Sequence, residues 1–293
     1  MKSAITILCL FVLIAVPFAA EKPVTQAKYT TDEIKLDGQL DEPIWANAMK
    51  AGTDMLQYEP RQGVPMSQKT EFKVVYDDHN IYFGIVAYDT EPQKIVASVM
   101  ERDEVPYYDD SLFLAIDTMN DNRNGYVLWT NPNGIKYDAS VTNNSSLNVQ
   151  WDGIWDVKAV RTKDGWQAEI RLPFSTVRHR AGANEWGFNI WRKLPRNGEE
   201  GRWSGSRPEF RTYHFAQAGK IRGININRKS LNLEVTPYVV GDSNGSKTSG
   251  DFGGDIRYRI KPSWTAHLTL NTDFAETEVD DRRLNYSRFP LFF

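Results

Sequence analysis

Cysteine and histidine are scarce in this 293-residue chain: there is one cysteine, Cys9, and four histidines. Cys9 lies in the apolar run 4–16, which follows the basic start Met1-Lys2-Ser3 and precedes small residues up to Ala20. That is the pattern of a secretory signal peptide over residues 1–20, and about 13 apolar residues are too few for a membrane-spanning helix. The mature chain then has no thiol, which excludes disulfides, cysteine-ligated zinc and cysteine nucleophiles, as in a large bacterial envelope domain. His79, His179, His214 and His267 are scattered, and there is no GxSxG, no HExxH and no glycine-rich phosphate loop. Dense basic patches are missing too. The best cluster, Arg178-His179-Arg180, reads as a solvated loop, so no nucleic-acid partner is expected. Loss of Lys2 with the leader takes the formal net charge from -3 to -4.

Helical periodicity is also sparse. One short helix is expected near Asp41-Glu42-Pro43-Ile44-Trp45, with Asp41 as its cap and Ile44, Trp45, Ala48 and Met49 on one face. Almost everything afterwards alternates with period two. Phe72, Val74 and Tyr76 lead to the turn DDHN at 77–80, and Ile81, Phe83, Ile85 and Ala87 lead away from it. The other face of this hairpin is apolar as well, which places it in the middle of a sheet. SLFLAID (111–117), GYVLWTNPNGIKYDA (125–139) and EWGFNIWRKL (185–194) repeat the pattern. In WDGIWDV (151–157) and the segment after it, Trp155, Val157 and Ala159 face one way. Asp164-Gly165 turns the chain, and Trp166, Ala168, Ile170 and Leu172 alternate back, so Trp155 and Trp166 are core candidates. Many short strands without a βαβ rhythm indicate an all-β fold: a two-sheet antiparallel β-sandwich, immunoglobulin- or jelly-roll-like, over residues 28–222.

A second regime occupies 223–293. Ile256, Tyr258, Ile260, Trp264, Ala266, Leu268 and Leu270 fall on even positions, with Arg257, Arg259, Lys261, Thr265, His267, Thr269 and Asn271 between them. Apolar on one face and polar on the other, these read as strands of an outer-membrane-type barrel, with a soluble sheet as the alternative. About three strands are too few to close one, so an incomplete barrel and a truncated or fragmentary chain are expected.

Candidate chemistry is thin. Asp103, Asp109, Asp110, Asp152 and Asp156 are the acids from which a glycoside-hydrolase pair would have to be drawn. The loop DTMNDNRNG (117–125) offers hard oxygens for calcium at Asp117, Asp121, Asn122 and Asn124, against the alternative of a solvated asparagine-rich turn. Aromatic residues on loops are more informative, because a ring laid on the apolar face of a pyranose buries area while neighbouring polar groups take the hydroxyls. Tyr107, Tyr108, Trp151 and Trp203 are the loop-borne candidates for carbohydrate binding.

LDGQLDEPIW, VVYDDHNIYFGIVAYD, the RD...DDSLFLAID segment, GWQAEIRLPF and WGFNIWR, in that order, resemble a family 9 carbohydrate-binding module over roughly residues 30–222. GGDIRYRIKPSWTAHLTLNTDFAETEVDDRRLNYSRFPLFF resembles the opening of a bacterial outer-membrane barrel domain of unknown function that follows such modules. The first resemblance implies a sugar clamp of two facing rings, carried over to Tyr107 and Trp203, and structural calcium, which adds weight to Asp117 and Asp121. It also shows departures. A tyrosine stands at 107 for the family's usual tryptophan, and Phe113 and Trp129 fall where a glutamate and an arginine would take sugar hydroxyls, a role apolar groups cannot fill. The expected function is non-catalytic glycan binding by an exported protein of the periplasm or outer membrane of a bacterium, its partners an oligosaccharide or polysaccharide and the membrane itself. The alternatives are a glycoside hydrolase and an envelope domain that only docks onto a barrel.

Overall fold

The computed structural model describes residues 22–180, 182–205, 207, 209–211, 213–226, 233–243, 248–261 and 264–271. The expected leader 1–20 and the tail 272–293 lie outside these residues. In chain order the strands are β1 (Val24–Gln26), β2 (Lys28–Tyr29), β3 (Leu56–Glu59), β4 (Thr70–Tyr76), β5 (Asn80–Tyr88), β6 (Ser111–Asp117), β7 (Gly125–Thr130), β8 (Tyr137–Thr142) and β9 (Ser146–Asn148). They continue with β10 (Asp156–Thr162), β11 (Gly165–Pro173), β12 (Glu185–Leu194), β13 (Glu199–Arg202), β14 (Gly219–Arg222), β15 (Leu233–Ser243), β16 (Thr248–Lys261) and β17 (Trp264–Leu270). The first sheet has the order β1-β14-β12-β6-β7-β8-β9, with β13 and β3 extending from β12; the second is β10-β11-β5-β4-β2; the third is β15-β16-β17.

The β4–β5 hairpin shows why the sandwich forms. Asp77 accepts the backbone N–H groups of His79 and Asn80 at 2.6 Å each, which fixes the turn and sets Tyr76 opposite Ile81. Phe72, Val74, Phe83 and Ile85 then point inward, against Leu112, Leu114, Trp186, Phe188 and Ile190 of the first sheet. Phe83 and Phe188 stack at 5.3 Å between centroids with their planes 10° apart, and Phe72 meets Phe188 at 5.3 Å. The outward face of the same hairpin is also apolar. Val75 and Tyr82 are covered by Ile34, Leu40, Ile44, Trp45 and Ala48 of the segment before β3. Both sheets are therefore sealed on two sides, the first by Tyr213 and Phe215 over Phe113, Trp129 and Trp191.

Three details differ from the sequence reading. The helix α1 (Pro43–Asn47) has Glu42, not Asp41, at its N-cap, and no side chain caps it. It ends before Met49, because Ala48 turns extended; Ala48 stays buried while Met49 is left half exposed. The sandwich is not wholly antiparallel either. β1 joins β14 and β2 joins β4 in parallel, since one extended N-terminal segment crosses from the edge of the first sheet to the edge of the second.

The third sheet is an open antiparallel meander, with no strand pairing to the other two among the described residues. Its register puts Val235 opposite Ile256 and Ile256 opposite Leu268, and Val239 opposite Phe252. One face thus carries Val235, Val239, Phe252, Trp264, Leu268 and Leu270 toward solvent. On the other, Asp255 pairs with His267 at 3.3 Å and accepts from the Thr269 hydroxyl at 2.6 Å.

Glu169 on β11 is fully buried and holds the 35–45 segment in place by accepting N–H groups from Asp37 (3.1 Å) and Gly38 (3.2 Å). Burial, with Glu42 nearby, pushes its pKa up to about 7 in spite of those hydrogen bonds. The folded state therefore holds a proton that the unfolded chain has released, and stability falls as pH rises from about 4.5 to 7. Glu169→Gln, which keeps an acceptor for Gly38, should abolish this fall and raise stability at pH 8 by on the order of 3 kcal/mol. Urea unfolding at pH 5 and pH 8 measures it; a variant with an unchanged pH slope counts against this role for Glu169.

Candidate functional site

The 96–110 connection between β5 and β6 is tied down by buried acids. Asp109 accepts from Ser98 N (2.8 Å), Ser98 Oγ (2.7 Å), Val99 N (3.0 Å) and Asn131 Nδ2 (2.8 Å). Burial works against its charge, but these hydrogen bonds outweigh it and hold the carboxyl below the usual range. Asp110 accepts from Val96 N at 2.8 Å and returns its own N–H to Val96 O at 2.9 Å. Farther along, Asp103 takes a left-handed φ of 63° and donates its N–H to Lys136 O, while Arg102 pairs with Asp138 and Asp152. A loop fastened at so many points presents its remaining side chains in fixed positions.

Among those side chains are Tyr107 and Tyr108, which are 55% and 78% exposed and meet edge to face at 5.1 Å with their planes 83° apart. Lys193 lies opposite Ser111 in the β12–β6 register and so reaches the foot of the loop. Its ammonium sits 3.9 Å from the Tyr107 ring centroid and pairs with Glu200 at 2.7 Å. The structure thus joins one aromatic pair to one charged pair. Lys193 escaped the sequence reading, although its outward parity on β12, two residues from Trp191, was the available signal.

The other two aromatic candidates are elsewhere. Trp151 is half-buried, tilted against Tyr126 at 4.7 Å and folded back over Gly153, where a Cβ would come within 2.5 Å of its ring. Trp203 is only 7% exposed and belongs to the core, at 5.1 Å from Phe72 and 6.0 Å from Phe188. This corrects the expectation of a loop-borne ring facing Tyr107. The reason is register: Trp203 N donates to Ile190 O, continuing the pairing beyond β13, and places the indole on the inward face with Ile190. In the same way Trp155 is buried and donates Nε1–H to Asp138 at 2.7 Å, which makes WDGIWDV a lead-in to β10.

Phe113 and Trp129 form a buried cluster with Trp191, at centroid separations of 5.4 to 5.8 Å, and Tyr213 and Phe215 cover it. Positions where polar arms would be needed are thus closed aromatic packing. The five acids proposed for hydrolysis are held in ion pairs or buried. Asp103 and Asp152 pair with Arg102, and Asp156 pairs with Arg171 at 2.5 Å. Asp109 is locked under the loop, and Asp110, raised by burial, is shut away from solvent.

The carboxylates named for calcium lie in one turn. Asp117 accepts Asp121 N and Asn122 N, while Asp121 accepts Arg123 N, Asn124 N and Asn124 Nδ2, so both carboxylates shape the turn itself. Among the described residues no three His, Cys, Asp or Glu side chains gather as a metal site.

A rigid loop raising two tyrosines from a two-sheet frame makes this a β-sandwich module with an aromatic surface. The family described as carbohydrate family 9 binding domain-like matches residues 36–201, more than half of the chain, and the chain belongs to that family. Among solved structures, it is similar to a protein from Bacteroides uniformis proposed to bind carbohydrate, with 12% identity, 69% of this chain and 99% of that one covered, and a TM-score of 0.55. It also matches a family 9 carbohydrate-binding module from Caldicellulosiruptor kristjanssonii in complex with glucose, with 16% identity, 68% of this chain and 95% of that one covered, and a TM-score of 0.49. Comparison with curated proteins gives no match.

If Trp203 is a core residue, Trp203→Ala should lower stability by about 3 to 5 kcal/mol through the cavity it leaves. Thermal or urea denaturation measures this, and a loss below about 1 kcal/mol would return Trp203 to the list of surface rings.

Proposed function

We propose that this chain is an exported cell-envelope protein whose sandwich binds glycan without catalysing its cleavage, and that the bound sugar rests on Tyr107 and Tyr108. The observation that carries this reading is the pair of exposed rings on a fastened loop beside Lys193 and Glu200. Exposed aromatic rings bury the apolar faces of sugars, and charged neighbours take hydroxyls. Membership of a family described as carbohydrate-binding-like supports it. So does the engagement of the candidate acids in ion pairs and loop hydrogen bonds, since glycoside hydrolysis needs two carboxyl groups facing the same bond.

The third sheet supports the envelope part of the proposal. Its exposed apolar face and polar reverse face suit strands that stand between hydrocarbon and water, as in an outer-membrane barrel of which three strands would be the beginning. The basic start and apolar run of 1–20 suit export.

On a glycan array, the full chain should bind at least one glycan, and Tyr107→Ala combined with Tyr108→Ala should weaken binding about tenfold or more, as two stacking rings imply. Unaltered binding in the double variant moves the site away from the loop, and a silent array removes the glycan reading. In cell fractionation the full chain should be recovered with the outer membrane; recovery from the cytoplasm would count against export.

A further inference from the structure

We infer that the glycan site extends past the tyrosine loop, over the outward side of β12 and β13, to a second aromatic subsite formed by Tyr58 and Arg202, so that its ligand is an oligosaccharide lying across the strands. This rests on the glycan reading above. It names where the chain runs once one of its sugars is seated on Tyr107 and Tyr108, whether that sugar is an end unit or an internal one.

Strand register builds the row of side chains between the two subsites. Lys193 lies opposite Glu200 and Trp191 opposite Arg202 in the β12–β13 pairing, so all four side chains leave the sheet on one side. Lys193 and Glu200 then meet at 2.7 Å. Glu200 in turn lies opposite Glu59 on β3, while Gly201 lies opposite Gln57. That shift leaves Tyr58 as an extra residue on β3, and a bulge of this kind re-aims a side chain. The Tyr58 ring turns onto Arg202, whose guanidinium carbon is 3.8 Å from the ring centroid. Arg202 is itself held in place, donating to Phe210 O at 2.6 Å and to Gly205 O at 3.5 Å. Lys193 under Tyr107, at 3.9 Å, is the same arrangement at the other end of the row. Each end joins a tyrosine to a fixed cation, and Glu200 stands between them.

Two features give this row a direction and a ligand. On the β7 side the outward face of the sheet is filled, because Tyr213 and Phe215 pack over Phe113 and Trp129. The β13 side carries polar groups instead. Two buried donors there, Trp191 Nε1 and Arg202 Nε, have no hydrogen-bond partner among the described residues. Orphaned donors cost free energy, which the hydroxyl groups of a chain lying above them recover, directly or through water. Tyr58 is half-buried and keeps part of its surface for the apolar face of a sugar.

The span of the row sets the length of the ligand. From Ser111, where the loop joins β6, the path to Glu59 crosses three strand intervals, through Lys193 and Glu200. At roughly 4.8 Å for each interval this is about 14 Å, more than one sugar ring covers. A single sugar therefore meets one end of the row, and a chain meets both. Once the first sugar is seated, the far contact forms at high effective concentration, so affinity rises with chain length until Tyr58 is reached and then levels.

Calorimetry of the full chain tests this with cello-, xylo-, manno- and galacturono-oligosaccharides, from the monosaccharide to the hexasaccharide of each series. In at least one series the hexasaccharide should bind about tenfold or more tighter than the disaccharide. Tyr58→Ala should cut that ratio by about threefold or more, and Tyr58→Phe, which keeps the ring, should retain most of it. Thermal unfolding accompanies each variant. If Tyr58→Ala melts early, Tyr58→Leu, which keeps an apolar side chain against Arg202, is read in its place. Equal affinity for short and long sugars would overturn the inference and leave glycan binding at the tyrosine loop intact. So would a rise with length that Tyr58→Ala leaves unchanged, or a loss in Tyr58→Ala shared equally by the disaccharide and the hexasaccharide. No heat from any series also overturns it, and the glycan array, which carries further glycans, then decides separately whether the glycan reading stands.

Discussion

The packing of Phe72, Phe83, Phe188 and Trp203 between the two sheets is the contact on which the rest of this molecule depends. Phe83 and Phe188 stack nearly parallel, Phe72 leans on Phe188, and Trp203 meets Phe72 edge-on at 89°. Large rings from both sheets are buried there together with Val74, Ile85, Leu112, Leu114 and Ile190, and this apolar burial drives their association. The same arrangement has a functional consequence. A tryptophan recruited to this interface is removed from the surface, so the loop is left with Tyr107 and Tyr108 as its exposed rings.

Charge is buried beside this aromatic centre, and its partners keep it tolerable. Arg192 donates to Lys69 O at 2.7 Å, Tyr88 O at 2.6 Å and the Thr70 hydroxyl at 3.2 Å. Burial lowers its pKa to about 10, which leaves it charged at neutral pH. Asp89 makes a two-pronged pair with Arg196, both contacts at 2.7 Å. Removing one member of such a pair strands the other, so these residues fix how the end of β12 meets β4 and β5. Lys193 follows Arg192 on the opposite face. The strand that anchors the sheets thus also delivers the ammonium beneath Tyr107.

The third sheet leaves exposed what the sandwich covers. In the sandwich both faces of each sheet are covered, whereas β15 to β17 expose Val239 and Phe252 at 84% and 78%. On the reverse face Asp255 pairs with His267 and accepts from Thr269. The sandwich and the third sheet follow the same period-two rule, with the apolar face covered in one and exposed in the other.

Local pattern alone determined a good deal of this protein. Alternation located the β4–β5 hairpin, the inward Trp155 and Trp166, and the two-faced third sheet, because side-chain parity along a strand is a property of the backbone. The motif order carried the family, and the position of Tyr107 and Tyr108 before β6 made them candidates. Tertiary structure decided what parity cannot. Trp203 reads as a loop residue until its N–H bonds to Ile190 O and turns the indole inward. Asp117 and Asp121 read as oxygen-rich loop residues, and the fold shows that their carboxylates accept nearby N–H groups and shape the turn. Asp41 reads as a cap until Glu42 takes that place. Lys193 and Tyr107, 86 residues apart in sequence, become partners only because β12 and β6 pair side by side. Sequence fixes which way a side chain leaves its strand, and only the folded chain fixes what it meets there.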